Sequence, residues 1–219
     1  MKKLILLLVV LLFSTVLVAC NDSNDNNQNE ENGKTSFLVG TWMEVSYYTE
    51  GSAPTFNEGV YFEFSENAAV YTNGSTQHNS SYTFTNGDTL NLPELNREYK
   101  VLVRSDNIIQ LALSLEGPFT TLLKVNSKEN TIDKSLVLRT WDVTLHGNSA
   151  PSQAEVVTFD NTGKLTLNSN ELTYTWDETA PVFTIGGINL TVKVVFVSED
   201  LLVFVQQHDG YVWELSAKK

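Results

Sequence analysis

One short sequence motif occurs twice in the chain, and this internal repeat constrains its fold more than any other feature. GTWMEVSYYTEGSAP begins at Gly40 and RTWDVTLHGNSAP begins at Arg139. Both stretches carry Thr-Trp near the start and Ser-Ala-Pro at the end, and their tryptophans, Trp42 and Trp141, are 99 residues apart. Because self-similarity of this kind marks a duplicated structural unit, we predict that the chain contains two copies of one domain.

Further matches between the two halves keep the same order along the chain and fix the extent of each copy. Lys100 and Lys193, which open the similar stretches KVLV and KVVF, are 93 residues apart. The separation between matched residues therefore drifts by only a few positions, which is the size of a change in loop length. We predict one domain at 37–126, a linker at 127–135 and a second domain at 136–219.

Apolar and polar residues alternate with a period of two within each copy, which is the pattern of a strand with one buried face. Val60, Phe62 and Phe64 share such a face, and turn signals such as Asn-Gly and Gly-Gly separate one run from the next. Counting gives about eight short strands per copy, and a meander of that number closes on itself and removes its edges. We predict an all-β chain with two tandem, small, eight-stranded up-and-down barrels. The alternative is two open sandwiches.

The N-terminus has the layout of a secretory signal, with Lys2 and Lys3 followed by a mostly apolar run at 4–18. The run ends in Leu-Val-Ala-Cys, which resembles the lipobox of bacterial lipoproteins. The resemblance implies a signal peptide at 1–19 and acylation of Cys20, the only cysteine of the chain. Several acyl chains on one cysteine anchor a protein to a membrane without spanning it.

The segment at 20–36 has no large apolar residue after the cysteine, so we predict that it is a disordered tether. Its acidic, Asn-rich composition resembles the surface-export signals of lipoproteins in the Bacteroidetes. The two resemblances imply a cell-envelope location, with the protein anchored to the outer membrane through its N-terminal lipid and facing either the periplasm or the cell surface. The net charge of −12 argues against a nucleic-acid partner.

The opening of the first strand, Gly40-Thr41-Trp42, resembles the Gly-x-Trp signature of lipocalins, and LVGTW resembles the short lipocalin-like domains of Bacteroidetes lipoproteins. The family resemblance implies that Trp42 and Trp141 are structural plugs that close one end of each barrel, and that the cavity opens at the other end. The second copy departs from the signature, because Arg139 replaces the glycine.

A lipocalin-like pair of barrels implies a protein that binds a small apolar or amphipathic ligand. We predict that the ligand contacts aromatic side chains facing the lumen, at Phe62, Tyr82, Tyr174 and Trp176. An eight-stranded barrel is just wide enough to be filled by side chains or to hold one small ligand. The alternative prediction is therefore a pair of filled barrels whose outer faces or loops bind a protein or a glycan.

We find no pattern of catalytic or metal-ligating residues and predict a protein that is not an enzyme and has no cofactor. The three histidines, His78, His146 and His208, are far apart in the sequence, and zinc needs three or four convergent ligands. Most carboxylates, including Asp142 and Glu214, are predicted to lie in turns or on solvated strand faces.

Four tyrosines are candidates for exposed surface aromatics. Tyr47 and Tyr48 are adjacent, so they must point to opposite faces of their strand, and one of them is predicted to lie outside. Tyr71 and Tyr99 are also candidates for an outer face, where a tyrosine ring can stack on a sugar or anchor a partner. The alternative is that these aromatic rings pair across strands.

Overall fold

A computed structural model describes residues 35–57, 59–114, 117–129, 131–147, 149–177 and 179–218. The predicted signal peptide, Cys20 and nearly all of the predicted tether lie outside these residues. The predicted all-β fold with two tandem barrels is confirmed. Between the copies lies one short helix, α1, at Lys134–Val137. Within the described ranges, no helix has the length and apolar character needed to cross a lipid bilayer.

The first copy forms a barrel-like antiparallel sheet of nine strands. The strands are β1 (Gly40–Tyr48), β2 (Val60–Phe64), β3 (Ala68–Asn73), β4 (Thr76–Ser81), β5 (Thr83–Thr85), β6 (Thr89–Leu92), β7 (Arg97–Arg104), β8 (Ile108–Ala112) and β9 (Phe119–Val125). Their order in the sheet is β4-β3-β2-β1-β9-β8-β7-β6-β5. The two ends of this sheet, β4 and β5, are consecutive in the chain and are separated only by Tyr82, so the chain itself closes the sheet.

The second copy forms a closed barrel of eight strands, which excludes an open sandwich for this half. The strands are β10 (Thr140–His146), β11 (Val156–Phe159), β12 (Lys164–Leu167), β13 (Asn170–Trp176), β14 (Val182–Ile185), β15 (Leu190–Val197), β16 (Leu201–Gln206) and β17 (Val212–Ala217). The first half of β13 pairs with β12 and its second half pairs with β14.

The ninth strand of the first copy arises because the counterpart of β13 is split in two. β4 pairs with β3 and β5 pairs with β6, as the two halves of β13 do with their neighbours. At the break, the backbone N–H of Ser81 donates to Glu94 Oε2 at 2.9 Å. This carboxylate takes a donor that a continuous strand would use in its ladder. The copies therefore share one topology.

The agreement between the copies extends to single hydrogen bonds and bulges. Tyr82 Oη donates to Ser65 O at 2.7 Å, and Tyr174 Oη donates to Asp160 O at 2.6 Å, so each tyrosine ties its strand to the same turn. The register of β1 shifts where that of β10 does, and the register of β7 shifts where that of β15 does. Bulges at matched positions show that the duplication preserved backbone geometry and not only the strand order.

Each copy has its own core inside its sheet, and a third buried cluster joins the outer faces of the two copies. The third cluster comprises Val45, Val103, Ile108, Leu123 and Val125 of the first copy with Leu145, Val195, Val203, Val205 and Val212 of the second. Glu214 is only 4% exposed and crosses this contact, where Asn107 Nδ2 donates to its Oε1 at 3.0 Å and Ser105 Oγ donates to its Oε2. The prediction of a solvated Glu214 is wrong, because the second copy packs this strand face against the first.

Candidate functional site

The lumen of the second barrel is filled by aromatic rings that touch one another. The ring of Phe183 lies 5.6 Å from that of Phe204, which stacks on Trp213 at 5.5 Å between centroids. At the far end of β10 from Trp141, the ring centroid of His146 lies 3.6 Å from that of Trp213, so the imidazole is the last ring of the stack. Rings in contact with one another, together with the buried residues around them, form a packed core inside this barrel.

The first barrel carries a carboxylate where the second has a valine. Glu44 pairs with Leu122 across the sheet, and Val143 pairs with Leu215, so Glu44 and Val143 occupy equivalent positions. Leu122 belongs to the lumen core, and cross-strand partners share a face, so the Glu44 side chain also faces the lumen. The alternation along β1 agrees, because Glu44 lies two residues after the buried Trp42.

A tyrosine of the first barrel also replaces a valine of the second. Leu90 pairs with Tyr99, and Phe183 pairs with Val192, so Tyr99 and Val192 are equivalent. Tyr99 belongs to the first lumen core. The prediction that Tyr99 lies on an outer face is therefore wrong, because strand periodicity shows which residues share a face but not which face is buried.

The first barrel also has smaller side chains at two positions where the second barrel has large aromatic rings. Trp213 of the second barrel is equivalent to Thr120, because Tyr47 pairs with Thr120 as His146 pairs with Trp213. Phe204 is equivalent to Leu111 by the pairing on the other side of the same strand. The first lumen therefore lacks the ring stack that closes the second.

Glu44 is mostly buried, and one of its two carboxylate oxygens accepts a hydrogen bond. It is 8% exposed, and Asn57 Nδ2 donates to its Oε1 at 2.6 Å. Within the described part of the chain, Oε2 accepts no hydrogen bond. Burial raises the pKa of Glu44 above its ordinary value, and the hydrogen bond from Asn57 opposes this in part.

Tyr99 is equally buried, at 8% exposure, and its hydroxyl makes no hydrogen bond with any described residue. Burial raises the pKa of Tyr99 to about 12, the positive charge of Arg97 acts in the opposite direction, and the negative charge of Glu44 adds to the rise. Arg97 lies two residues before Tyr99 on β7 and therefore shares its face. The Tyr99 hydroxyl itself is not sealed from solvent, because the buried side-chain atoms without a hydrogen bond among the described residues are Ser46 Oγ and Thr72 Oγ1.

Two further tyrosines lie at the same end of the first lumen as Glu44 and Tyr99. Tyr71 packs against the lumen core, with its ring centroid 4.9 Å from that of Phe62. Tyr47 is 38% exposed and faces the same end, because its partner Thr120 lies two residues before the inward Leu122. We call the set Glu44, Tyr47, Tyr71, Arg97 and Tyr99 the first-barrel mouth. It offers hydrogen-bond donors, acceptors and ring faces.

The prediction of an outward Tyr71 is wrong, because its cross-strand partner Phe62 faces the lumen. The adjacent pair Tyr47 and Tyr48 does divide between two faces, as predicted, and Tyr48 is the buried member. Its hydroxyl accepts from Gln110 Nε2 at 3.1 Å.

The aromatic residues predicted to contact a ligand lie mainly in packed cores. Phe62, Tyr82 and Tyr174 are buried, and both tyrosine hydroxyls are satisfied by turn carbonyls. Trp176 is partly buried and stacks on Phe183 at 5.9 Å. The ligand-binding role of these four residues stays a prediction.

The two tryptophans predicted to be plugs have matching environments. Trp42 and Trp141 are fully buried. The indole Nε1 of each donates to the carbonyl oxygen four residues earlier, Leu38 O at 2.6 Å and Val137 O at 3.0 Å. Each ring therefore fixes the chain segment that enters its first strand.

Sequence reasoning missed Glu44 and Arg97. Their signal is a charged residue at a position where the other copy is apolar. It is found when the copies are aligned by their strand pairs rather than by the opening phrase alone, because Glu44 then falls on Val143 and Arg97 on Leu190.

The histidines lie apart in the part of the chain that the structure describes, where no group of three or more His, Cys, Asp or Glu residues is placed to hold a metal ion. His78 stacks on Tyr71, and His208 Nδ1 lies 3.1 Å from Asp209 Oδ2. His146 Nδ1 lies 3.0 Å from Glu155 Oε2.

No known protein family and no curated protein matches the sequence. Among solved structures, the chain is similar to a protein of unknown function from the DUF3598 family of Nostoc punctiforme. The two sequences are 10% identical, and the alignment covers 87% of this chain and 100% of that one with a TM-score of 0.35. This likeness assigns no function.

Proposed function

We propose that the protein is a non-enzymatic binding protein of the cell envelope that takes a small amphipathic ligand at the first-barrel mouth. The second barrel is a packed scaffold for the first. The lipid on Cys20 that the sequence predicts holds the protein on the membrane.

One observation carries this proposal: the polar residues Glu44 and Tyr99 face the first lumen where the matched positions of the second barrel are valines. The second copy shows that this fold accepts valine there. Neither Glu44 Oε2 nor Tyr99 Oη hydrogen-bonds to a described residue, and neither is among the buried side-chain atoms that lack a partner, so both are accessible from solvent. A ligand that hydrogen-bonds to these two oxygens would use polar groups that the packing of the barrel does not need, which is why we place the site at these atoms.

The mouth also indicates the chemistry of the ligand. Arg97, Glu44 and Tyr99 match a polar head with both donors and acceptors. The rings of Tyr47 and Tyr71 match an apolar or flat body. A head and a body of this kind describe an amphipathic small molecule, as the lipocalin resemblance implies.

The packed lumen of the second barrel favours the other sequence prediction for that half, a filled barrel whose outer face contacts a protein or glycan. The test below separates the two functions, because a ligand at the mouth depends on Tyr99 and an outer-face contact does not.

Native mass spectrometry tests the proposal on the purified full-length protein after incubation with an envelope extract of the source organism. We expect an added mass that denaturation removes and that Tyr99→Phe reduces at least about tenfold, because the variant lacks one hydrogen-bonding atom facing the ligand. Tyr82→Phe is the matched control, since it removes a hydroxyl in the same lumen that is already bound to Ser65 O. The intact mass also reports acyl chains on Cys20.

An added mass retained equally by the Tyr99→Phe protein would contradict the site. A clean unliganded mass in the wild type would favour filled barrels that bind a protein or glycan. An intact mass without acyl chains on Cys20 would contradict the anchor.

A further inference from the structure

A cleft of about 670 Å³ lies between the two copies. One wall comes from β1, β2 and the loop between them, and the other comes from β15 and the loop between β13 and β14. The linker forms part of the rim through Lys128, Ile132 and Lys134. Both copies are needed to form it, so neither copy has this cleft alone. Its volume lies within the range of about 300–1,000 Å³ that is usual for small-molecule sites.

Three lysine ammonium groups lie over aromatic rings in this cleft. The distances from Nζ to the ring centroid are 4.5 Å for Lys193 over Phe56, 5.2 Å for Lys128 over Tyr61 and 5.4 Å for Lys134 over Trp176. The first pair joins the two copies, because Phe56 belongs to the first and Lys193 to the second. The cleft therefore combines cations and flat apolar surfaces.

The described residues that line the cleft carry more basic than acidic side chains. The chain has 14 basic and 26 acidic residues, yet three of its lysines line this cleft, while Glu44 is the one carboxylate among the described lining residues. Lys128 pairs with Glu63 at 2.7 Å, whereas Lys193 has no carboxylate partner within the described ranges.

We propose that the cleft between the two copies is a second binding site, which takes small organic anions with a flat apolar ring and holds the anionic group at Lys193. The ammonium of Lys193 donates to the anion without breaking an existing ion pair. The ring of the ligand lies against the aromatic side chains of the walls, including Phe56 and Trp176. Direct attraction to a cation and contact with rings both strengthen when water leaves the cleft.

The cleft shares Glu44 with the first-barrel mouth, but the residues that test the two sites differ. Tyr99 does not line the cleft, and Lys193 lies on the second copy. The two proposals can therefore fail separately.

Two dyes that differ in one anionic group test the proposal on the full-length protein. Anilinonaphthalene sulfonate carries a sulfonate on its rings, and N-phenyl-1-naphthylamine has the same rings without it. We expect the sulfonate dye to bind more tightly than the neutral dye. Lys193→Gln should weaken the binding of the sulfonate dye about tenfold, because one charged hydrogen-bond donor is lost. The affinity for the neutral dye should not change.

Two variants control for net charge and for folding. Lys164→Gln removes the same charge from an ion pair with Glu171 on the second barrel and should leave binding unchanged. Lys193→Arg keeps the cation and should retain most of the affinity for the sulfonate dye. A Lys193→Gln protein that unfolds at the wild-type temperature excludes general damage.

Equal binding of the two dyes, or equal effects of Lys193→Gln and Lys164→Gln, would overturn the inference. Loss of the sulfonate dye in Tyr99→Val but not in Lys193→Gln would place the dye at the first-barrel mouth. That result would overturn the cleft site and leave the proposed function standing.

Discussion

A cation lies over each of the two buried tryptophans, but the copies supply it from different positions. Lys124 Nζ lies 5.3 Å from the ring centroid of Trp42, and Arg139 Cζ lies 5.4 Å from that of Trp141. Gly40 has φ +133°, and a Cβ atom there would lie 2.9 Å from Lys124 Cε. The positive φ favours glycine at this position, whereas the second copy places Arg139 at the matched point. The departure from the Gly-x-Trp signature exchanges one cation for another.

The buried carboxyl of Glu44 gives a pH-dependent prediction for a single residue. Its pKa is raised in the folded state, so between 4.5 and that raised value the folded protein holds a proton that the unfolded chain releases. Stability from this group is therefore lost as pH rises through the window. We expect Glu44→Gln to be more stable than wild type at pH 8 by about 1–2 kcal/mol, with an advantage that shrinks towards pH 4.5.

Urea unfolding from pH 4.5 to pH 8 measures this difference. Glu98→Gln on the exposed face of β7 is the control and should track wild type at every pH. An advantage of Glu44→Gln that does not change with pH would contradict the assignment.

Among the structural elements, the split strand of the first copy shows how one topology tolerates a local difference. β13 runs without interruption through Tyr174, while its counterpart breaks at Tyr82, where Glu94 binds Ser81. Both tyrosines nevertheless bind the turn before the third strand of their copy through the same hydroxyl contact. The tie between the tyrosine and the turn, rather than an unbroken ladder, is the feature that the copies share.

We expect Tyr82→Phe and Tyr174→Phe to lower the free energy of unfolding by similar amounts, about 0.5–1.5 kcal/mol each, because each variant loses one hydrogen bond to a carbonyl. Denaturant unfolding of the two variants measures this. If only Tyr174→Phe lowered the free energy of unfolding, the hydrogen bond from Tyr82 to Ser65 O would make no contribution to the stability of the first copy.

For the whole molecule, the shared cluster of buried residues makes the two copies one folding unit. Val203 is fully buried in this cluster, yet it faces away from the lumen of its own barrel. An isolated second barrel would expose that position to water. Contact between the copies, not the packing of either barrel, is what buries it.

We therefore expect Val203→Asp to separate the copies while leaving each barrel folded. The variant should convert one calorimetric transition into two, with a loss of at least about 1.5–3 kcal/mol, because the buried side chain no longer contributes. Thr175→Asp on the exposed face of β13 is the control and should keep one transition. A single transition in Val203→Asp would contradict the coupling.

The sequence by itself determined the fold class and the duplication, because strand periodicity, turn residues and the repeated phrase are local signals that survive without tertiary contacts. It also located Trp42 and Trp141 through their shared context. The tertiary structure alone decided which strand faces are buried, and this placed Tyr71 and Tyr99 inside and Glu214 at a contact. Period-two alternation shows which residues share a face of a strand but not which face is buried. Only packing against another element decides which face is buried. The first-barrel mouth and the cleft depend on such packing, so neither was visible in the sequence.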